Sequence, residues 1–301
     1  MRLLNASGCL DALTAPEVAR ELDAFVTKTV TPLPREGNLP VRIAETEVGM
    51  LNAIGLANPG IEGFLADHLP RLAPPVWVSV GGFSTGDYAE LCARLDDEDI
   101  EAIELNLSCP NVDEVPANVA EVVAAARATT QKPLYAKLSP AIGDIAETAR
   151  AAEAAGADGL SLVNTIKGLA LDERTLQSVL ARGAGGLSGP ALRPIALAAV
   201  YACYRAVELP IVGMGGVASG RDALELLAAG ARDVALGTVL FADPGAPARI
   251  RSELEVELAA HGFAKADNAI GAAHGTEGST LDQRSSVDEE KRLHMGINMA
   301  S

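Results

Sequence analysis

Aromatic residues are scarce in this chain of 301 residues, at 3% of the sequence, whereas apolar residues of all kinds make up 49%. The core is therefore expected to consist of Ala, Val, Leu and Ile, a composition that suits a parallel sheet covered by helices. The length fits two domains or a single barrel, since barrels commonly reach this size.

Basic residues are also few, with 24 Lys and Arg against 40 Asp and Glu and a net charge of −16. Nucleic acid is an unfavourable partner for such a chain, because phosphate contacts need clustered Lys and Arg. No apolar run approaches the roughly 20 residues that span a bilayer, and the first residues are too polar for a signal peptide. We predict a cytoplasmic protein that binds neither nucleic acid nor a membrane.

Cysteine is limited to four scattered positions, Cys9, Cys92, Cys109 and Cys203, with no CxxC pair. The spacing of zinc sites and of iron–sulfur clusters is therefore missing from the sequence. We predict reduced thiols and no metal site.

Short β-type segments alternate with segments of helical period along most of the chain. Strands are predicted at residues 3–7, 24–30, 76–80, 102–108, 133–139, 159–165, 210–215 and 233–239. Helices are predicted at residues 16–23, 61–71, 87–95, 117–130, 144–155, 190–207, 220–229 and 247–261. This alternation predicts an α/β fold, a (β/α)8 TIM barrel, within one catalytic domain over residues 1–275.

Two segments depart from the alternation. Residues 31–57 contain Pro32, Pro34 and Pro40, which oppose a helix and favour an extended insertion after strand 2, over the barrel mouth. Residues 276–301 are polar and without periodicity, and we predict that they form a disordered tail.

The run Asn106-Leu107-Ser108-Cys109-Pro110-Asn111 sets a thiol between carboxamides, directly after an apolar strand. Pro110 cannot continue that strand, so Cys109 lies where strand passes into loop, the position at which barrels hold reacting groups. We interpret Cys109 as a proton-abstracting base. A single cysteine after a strand is, however, more often a small buried apolar residue.

Polar or glycine residues also end the other predicted strands: Ser7, Lys28, Lys137, Asn164 with Thr165, Gly215 with Gly216, and Gly237 with Thr238. The last two pairs follow strands seven and eight, where barrels commonly bind phosphate through glycine-rich turns and a helix N-terminus. For either pair alone, a simple chain reversal explains the glycines equally well.

The segment Gly213-Met214-Gly215-Gly216-Val217-Ala218 also matches the dinucleotide fingerprint. It belongs to the seventh βα unit rather than opening a βαβαβ half, and no acidic residue ends the next strand. A phosphate turn in a barrel is the better interpretation.

Lys28 and Lys137 are flanked by residues that belong inside a barrel wall, and a buried cation requires a partner. A neighbouring carboxylate is one possible partner. A reduced flavin is the other, since it carries negative charge that a fixed ammonium stabilises.

Seven segments together resemble class 1 dihydroorotate dehydrogenase, in order over about residues 5–262. They are residues 27–31 (TKTVT), 34–38 (PREGN), 49–56 (GMLNAIGL), the Cys109 loop, 163–168 (VNTIKG), 185–191 (GGLSGPA) and 237–238 (GT). The cysteine at position 109 resembles class 1, because class 2 enzymes carry a serine at that place in the loop. Residues 49–56 and the Lys167-Gly168 turn look more like the NAD-linked 1B subclass than the fumarate-linked 1A subclass.

The resemblance implies oxidation of dihydroorotate to orotate in de novo pyrimidine (UMP) biosynthesis, with Cys109 as base and FMN as hydride acceptor. It implies substrate binding by Lys28, Asn52, Asn106, Asn111, Asn164 and Thr165. It implies cofactor binding by Ser7, Lys28, Thr29, Asn106, Lys137, Gly189, Gly215, Gly216, Gly237 and Thr238. It also implies a homodimer, and a partner subunit carrying FAD and an iron–sulfur cluster that completes a heterotetramer.

Three alternatives stay open from the sequence. One is a dihydropyrimidine dehydrogenase-type flavin reductase acting on uracil or thymine. Another is a fumarate-linked dihydroorotate dehydrogenase of the 1A type. The most distant is a barrel that binds a phosphate ligand without catalysis.

Overall fold

The computed structural model describes residues 1–73, 75–107, 118–141 and 143–275. Its strands are β1 (Leu3–Asn5), β2 (Phe25–Val26), β3 (Ile43–Thr46), β4 (Gly49–Asn52), β5 (Val76–Val80), β6 (Ala102–Asn106), β7 (Leu134–Leu138), β8 (Gly159–Leu162), β9 (Ile166–Gly168), β10 (Gly185–Ser188), β11 (Ile211–Met214) and β12 (Asp233–Leu236). Its α-helices are α1 (Pro16–Arg20), α2 (Gly60–Gly63), α3 (Thr85–Leu95), α4 (Val119–Arg127), α5 (Ile145–Ala154), α6 (Arg193–Tyr204), α7 (Gly220–Ala229), α8 (Val239–Ala242) and α9 (Ala246–Ala260).

Eight parallel strands form the barrel, in the order β1-β12-β11-β8-β7-β6-β5-β2. A single parallel bridge between Leu4 and Ala24 joins the two ends of this sheet. The predicted (β/α)8 architecture is thus confirmed. No helix in the described ranges is both long enough and apolar enough to cross a membrane.

The seam between β1 and β2 depends on the side chain of Asn5, which is fully buried. Its Nδ2 donates to Val26 O at 2.7 Å, and its Oδ1 accepts from Val26 N at 2.8 Å. A carboxamide can replace a peptide group in this way because it offers one donor and one acceptor in a plane. Asn5 therefore supplies ladder bonds across the seam.

The barrel strands alternate between two apolar environments, as strands buried on both faces do. Outward side chains such as Val78, Ile103 and Leu105 pack against the helices in the main core, whereas Trp77 and Met214 belong to a smaller cluster. The core is largely aliphatic, as the composition predicts.

The insertion after the second strand carries a β-hairpin, β3 and β4, so its predicted extended character is confirmed. The hairpin joins β9 and β10 in an antiparallel sheet of order β3-β4-β10-β9. Neither β9 nor β10 was predicted, since Ile166–Gly168 and Gly185–Ser188 are short and rich in glycine. Their pairing partners lie far away along the chain.

Two element predictions need correction. The helix predicted at 61–71 consists of α2, a π-helical turn at Phe64–His68 and a 3-10 turn at Leu69–Arg71. Pro70 has no N–H to donate to Ala66 O, so α-helical bonding cannot continue through the last turn, which is a 3-10 turn instead. The strand predicted at 24–30 is only β2, because the ladder to β5 is interrupted at Thr27. Ser79 N donates to the Thr27 hydroxyl at 3.1 Å, and pairing resumes as the isolated bridge of Val30 to Val80.

Candidate active site

A cavity of about 390 Å³ lies at the C-terminal ends of the barrel strands and beside the four-stranded sheet. Its volume falls within the range of roughly 300–1,000 Å³ that is usual for small-molecule sites. Every predicted site residue that the structure describes lines it: Ser7, Lys28, Thr29, Asn52, Asn106, Lys137, Asn164, Thr165, Gly189, Gly215, Gly216, Gly237 and Thr238. The other two, Cys109 and Asn111, lie outside the described residues.

One part of the lining is a carboxamide cluster, formed by Asn52, Asn106 and Asn164. Asn164 Nδ2 donates to Asn106 Oδ1 at 3.1 Å, and Asn106 Nδ2 donates to Thr29 Oγ1 at 3.1 Å. The main chain of Asn106 is held too, because Tyr88 Oη donates to its carbonyl at 2.8 Å. These bonds fix the amide planes before any ligand arrives.

The four-stranded sheet brings the third member of the cluster to the cavity. Asn52 ends β4, and its Nδ2 donates to Gly186 O on β10 at 3.3 Å. A Cβ at Gly186 would lie only 2.2 Å from Thr165 Oγ1, so glycine is required for the sheet to approach Thr165. The insertion thus forms a wall of the site, at the barrel mouth where the sequence predicts it.

Lys137 has a carboxylate partner, the alternative that the sequence left open. Its Nζ lies 3.3 Å from Glu104 Oε1 in a pair that is almost completely buried, and it donates to Ser7 Oγ at 3.0 Å. Lys137 nevertheless lines the cavity. The ammonium therefore lies between a buried anion and the space for a ligand.

Gly215 and Gly216 turn the chain after β11 with φ of 125° and 75°, a region that favours glycine. A Cβ at Gly216 would lie 2.8 Å from Gly189 O. Both glycines are thus required by the fold, and they bring main-chain groups to the cavity.

Asp222 stabilises this turn from outside the cavity, a role that the sequence interpretation missed. The buried Asp222 accepts from Ala218 N at 2.9 Å and is paired with the guanidinium of Arg193. The signal was present, because Ser219 is followed three residues later by an acidic residue, which is a helix-capping pattern.

Gly237 differs from these glycines because neither the backbone nor packing requires it. Its φ is not in the left-handed region, and an added Cβ would meet only Ala6 Cβ at 3.6 Å and Cys9 Sγ at 3.7 Å. Within the described ranges, the N–H groups of Gly216 and Gly237 donate to no acceptor. Open space with unused donors is what a phosphate-bearing ligand needs.

The sequence interpretation also missed Cys9 and Ser188, which line the cavity. Burial raises the pKa of the Cys9 thiol, against the opposing effect of the nearby ammonium groups of Lys137 and Lys28. Ser188 Oγ accepts from Thr238 Oγ1 at 2.8 Å and so connects the four-stranded sheet to the turn after β12. Neither residue ends a barrel strand, so the strand-end criterion did not select them.

Comparisons with known proteins agree with this geometry. The family model for dihydroorotate dehydrogenase matches residues 2–258. The catalytic subunit of dihydroorotate dehydrogenase B (NAD(+)) from Desulforudis audaxviator is 48% identical over 268 residues, covering 85% of this chain and 87% of that protein. A putative dihydroorotate dehydrogenase A (fumarate) from Solibacter usitatus is 46% identical over 261 residues, covering 83% of this chain and 86% of that protein.

Among solved structures, a dihydroorotate dehydrogenase from Eimeria tenella in complex with ferulenol superposes with a TM-score of 0.75. The two sequences are 22% identical, and the superposition covers 92% of this chain and 86% of the Eimeria tenella chain. This similarity supports the barrel fold. Other relatives with 43–46% identity are B-type catalytic subunits, including those of Latilactobacillus sakei and Listeria welshimeri. The chain therefore belongs to the dihydroorotate dehydrogenase family, and its predicted resemblance to the 1B catalytic subunits is confirmed.

Proposed function

We propose that this chain oxidises dihydroorotate to orotate, in de novo pyrimidine biosynthesis, with FMN bound in the cavity at the barrel mouth. The family is flavin-dependent, and membership in it rests on most of the chain. The observation that carries the proposal is the combination, in one cavity, of a carboxamide cluster and glycine turns whose N–H groups have no acceptor among the described residues.

The donor set and the volume of the cavity support FMN as its cofactor. Gly215, Gly216, Gly237 and Thr238 would hold the phosphate through main-chain donors, while Ser7, Thr29, Gly189 and Lys137 would hold the flavin frame. When bound, FMN supplies the acceptor for the hydrogen that leaves C6 of dihydroorotate together with an electron pair.

The substrate would bind against the carboxamide cluster, with Thr165 and Lys28 beside it. Carboxamides match the ring amides of a pyrimidine because each presents a donor and an acceptor in one plane. Lys28 supplies a positive charge for the substrate carboxylate. Cys109 would remove the proton from C5, and Asn111 would complete the set of amide ligands.

We further propose that the chain works as the catalytic subunit of a larger assembly. Several relatives are catalytic subunits of an NAD(+)-linked enzyme, so a separate subunit with FAD and an iron–sulfur cluster would carry electrons onward, in a heterotetramer. Within the described residues, exposed apolar side chains such as Leu39, Val41 and Val48 in the insertion offer a surface for association. A homodimer of catalytic subunits would use such a surface.

Rapid anaerobic mixing tests the proposed activity. The FMN-loaded protein is mixed with dihydroorotate or with dihydrouracil, and loss of the absorbance of oxidised flavin is followed. We expect fast bleaching with dihydroorotate only, with orotate formed in equal amount to reduced flavin. Fast bleaching by dihydrouracil alone would identify a reductase of uracil or thymine instead, and protein unable to bind FMN would contradict the cofactor assignment.

Gly237→Ala tests the cofactor site separately from turnover. Since the added methyl group meets no close protein contact, the free energy of unfolding of the flavin-free protein is expected to stay within about 0.5 kcal/mol of wild type. The FMN dissociation constant, measured by quenching of flavin fluorescence, is expected to rise about tenfold or more, because the methyl group enters space assigned to the ligand. Unchanged FMN affinity would contradict this placement of the phosphate.

A further inference from the structure

Glu104 is a buried acidic residue to which the proposed reaction gives no role. It lies in β6, two residues before Asn106, and its side chain is 1% exposed. Its Oε1 is 3.3 Å from Lys137 Nζ, which also donates to Ser7 Oγ at 3.0 Å. Of these three residues, only Ser7 and Lys137 line the cavity, so Glu104 acts on a ligand through Lys137.

Stability is a weak explanation for this pair. Removing two charges from water costs free energy that their attraction offsets only in part, and apolar replacements of buried pairs are often neutral or stabilising. The other interior positions of neighbouring strands show that the barrel accommodates uncharged residues here. Ser161 pairs in register with Lys137 and is fully buried, without a hydrogen-bond partner in the described residues.

We propose that Glu104 is a positioning residue that sets the net charge at the wall of the proposed FMN site, and thereby the preference of the site for reduced over oxidised FMN. The inference rests on the proposed function, in which Lys137 contacts the cofactor. Glu104 holds the ammonium at the cavity wall and balances its charge.

The direction of the effect follows from charge balance. Reduced flavin carries negative charge that oxidised flavin lacks, so an unbalanced ammonium beside it favours the reduced form. The carboxylate of Glu104 partly cancels that preference, because it lies within hydrogen-bond distance of the same ammonium. The pair therefore gives a smaller preference for reduced FMN than Lys137 alone.

A charge cycle tests this inference in the FMN-loaded protein. Midpoint potentials are measured anaerobically for wild type, Glu104→Gln, Lys137→Met and the double variant. We expect Glu104→Gln to strengthen binding of reduced relative to oxidised FMN about tenfold, which is about 30 mV upward for a two-electron couple. Lys137→Met should shift the potential downward, and the double variant, again without net charge, should return close to wild type.

Ser161→Ala is the matched control, since it changes a buried side chain in register with Lys137 without changing charge. Its potential should equal that of wild type. Glu104→Asp keeps the negative charge and should therefore shift the midpoint potential less than Glu104→Gln. The two variants together keep the inference testable if one of them folds poorly. Equal potentials in wild type and Glu104→Gln, with FMN bound and reducible by dihydroorotate, would overturn the role of Glu104. Protein that binds no FMN would instead refute the proposed function.

Discussion

Replacing Cys109 by alanine is expected to slow reduction of the bound flavin by dihydroorotate by about 10²–10⁴-fold, the usual contribution of a positioned acid or base. The proton at C5 would then have to leave to water, in a cavity whose described polar side chains are carboxamides, hydroxyls, ammonium groups and the Cys9 thiol, which burial keeps neutral by raising its pKa. None of those neutral or cationic groups is a suitable base at neutral pH. Binding of orotate should change little, because the carboxamide cluster is untouched.

The pH profile distinguishes loss of a base from general damage. A free thiol has a pKa of roughly 8.5, so the wild-type rate should rise with pH as the thiolate forms. That rise should be absent in Cys109→Ala. Cys203→Ala, in the core on α6, is the control cysteine and should keep the wild-type rate and profile. An unchanged rate in Cys109→Ala, measured by rapid mixing, would remove Cys109 from the mechanism.

Asn5→Ala is expected to lower the free energy of unfolding by about 2–5 kcal/mol, because two buried backbone groups of Val26 lose their partners. The loss falls at the seam where, outside the Asn5 bonds, a single bridge joins the first and last strands of the sheet. Urea denaturation of the flavin-free protein gives the measurement.

An exposed asparagine provides the comparison for this substitution. Asn268→Ala, in the exposed turn Ala266–Asn268, should stay within about 0.5 kcal/mol of wild type. Equal urea midpoints for Asn5→Ala and Asn268→Ala would show that the seam does not depend on this side chain.

The barrel was predictable because its strands are continuous apolar runs and its helices are strongly periodic. Strand β5 and helix α7 have the predicted bounds, and most other barrel elements differ only at their ends. The four-stranded sheet was not predictable as a sheet. Its strands are short, three of them contain glycine, and β10 pairs with β4 across more than a hundred residues.

The same contrast applies to the site. One general rule, that reacting groups lie where parallel strands end, selected residues that the fold does bring to one cavity. Supporting residues outside the cavity were not selected. Glu104 and Asn5 contact partners 33 and 21 residues away along the chain, so the contacts exist only in the assembled barrel. Two sequence signals could have pointed to such roles: an acid in an apolar strand, as at Glu104, and the capping pattern of Ser219 and Asp222.

A structure of the protein with FMN and orotate bound tests the central claim most directly, since one cavity must hold both molecules. The account predicts the phosphate at Gly216 and Gly237, the flavin ring above Lys137, and orotate against Asn52, Asn106 and Asn164. Orotate bound away from these asparagines, or FMN bound outside the barrel mouth, would contradict it.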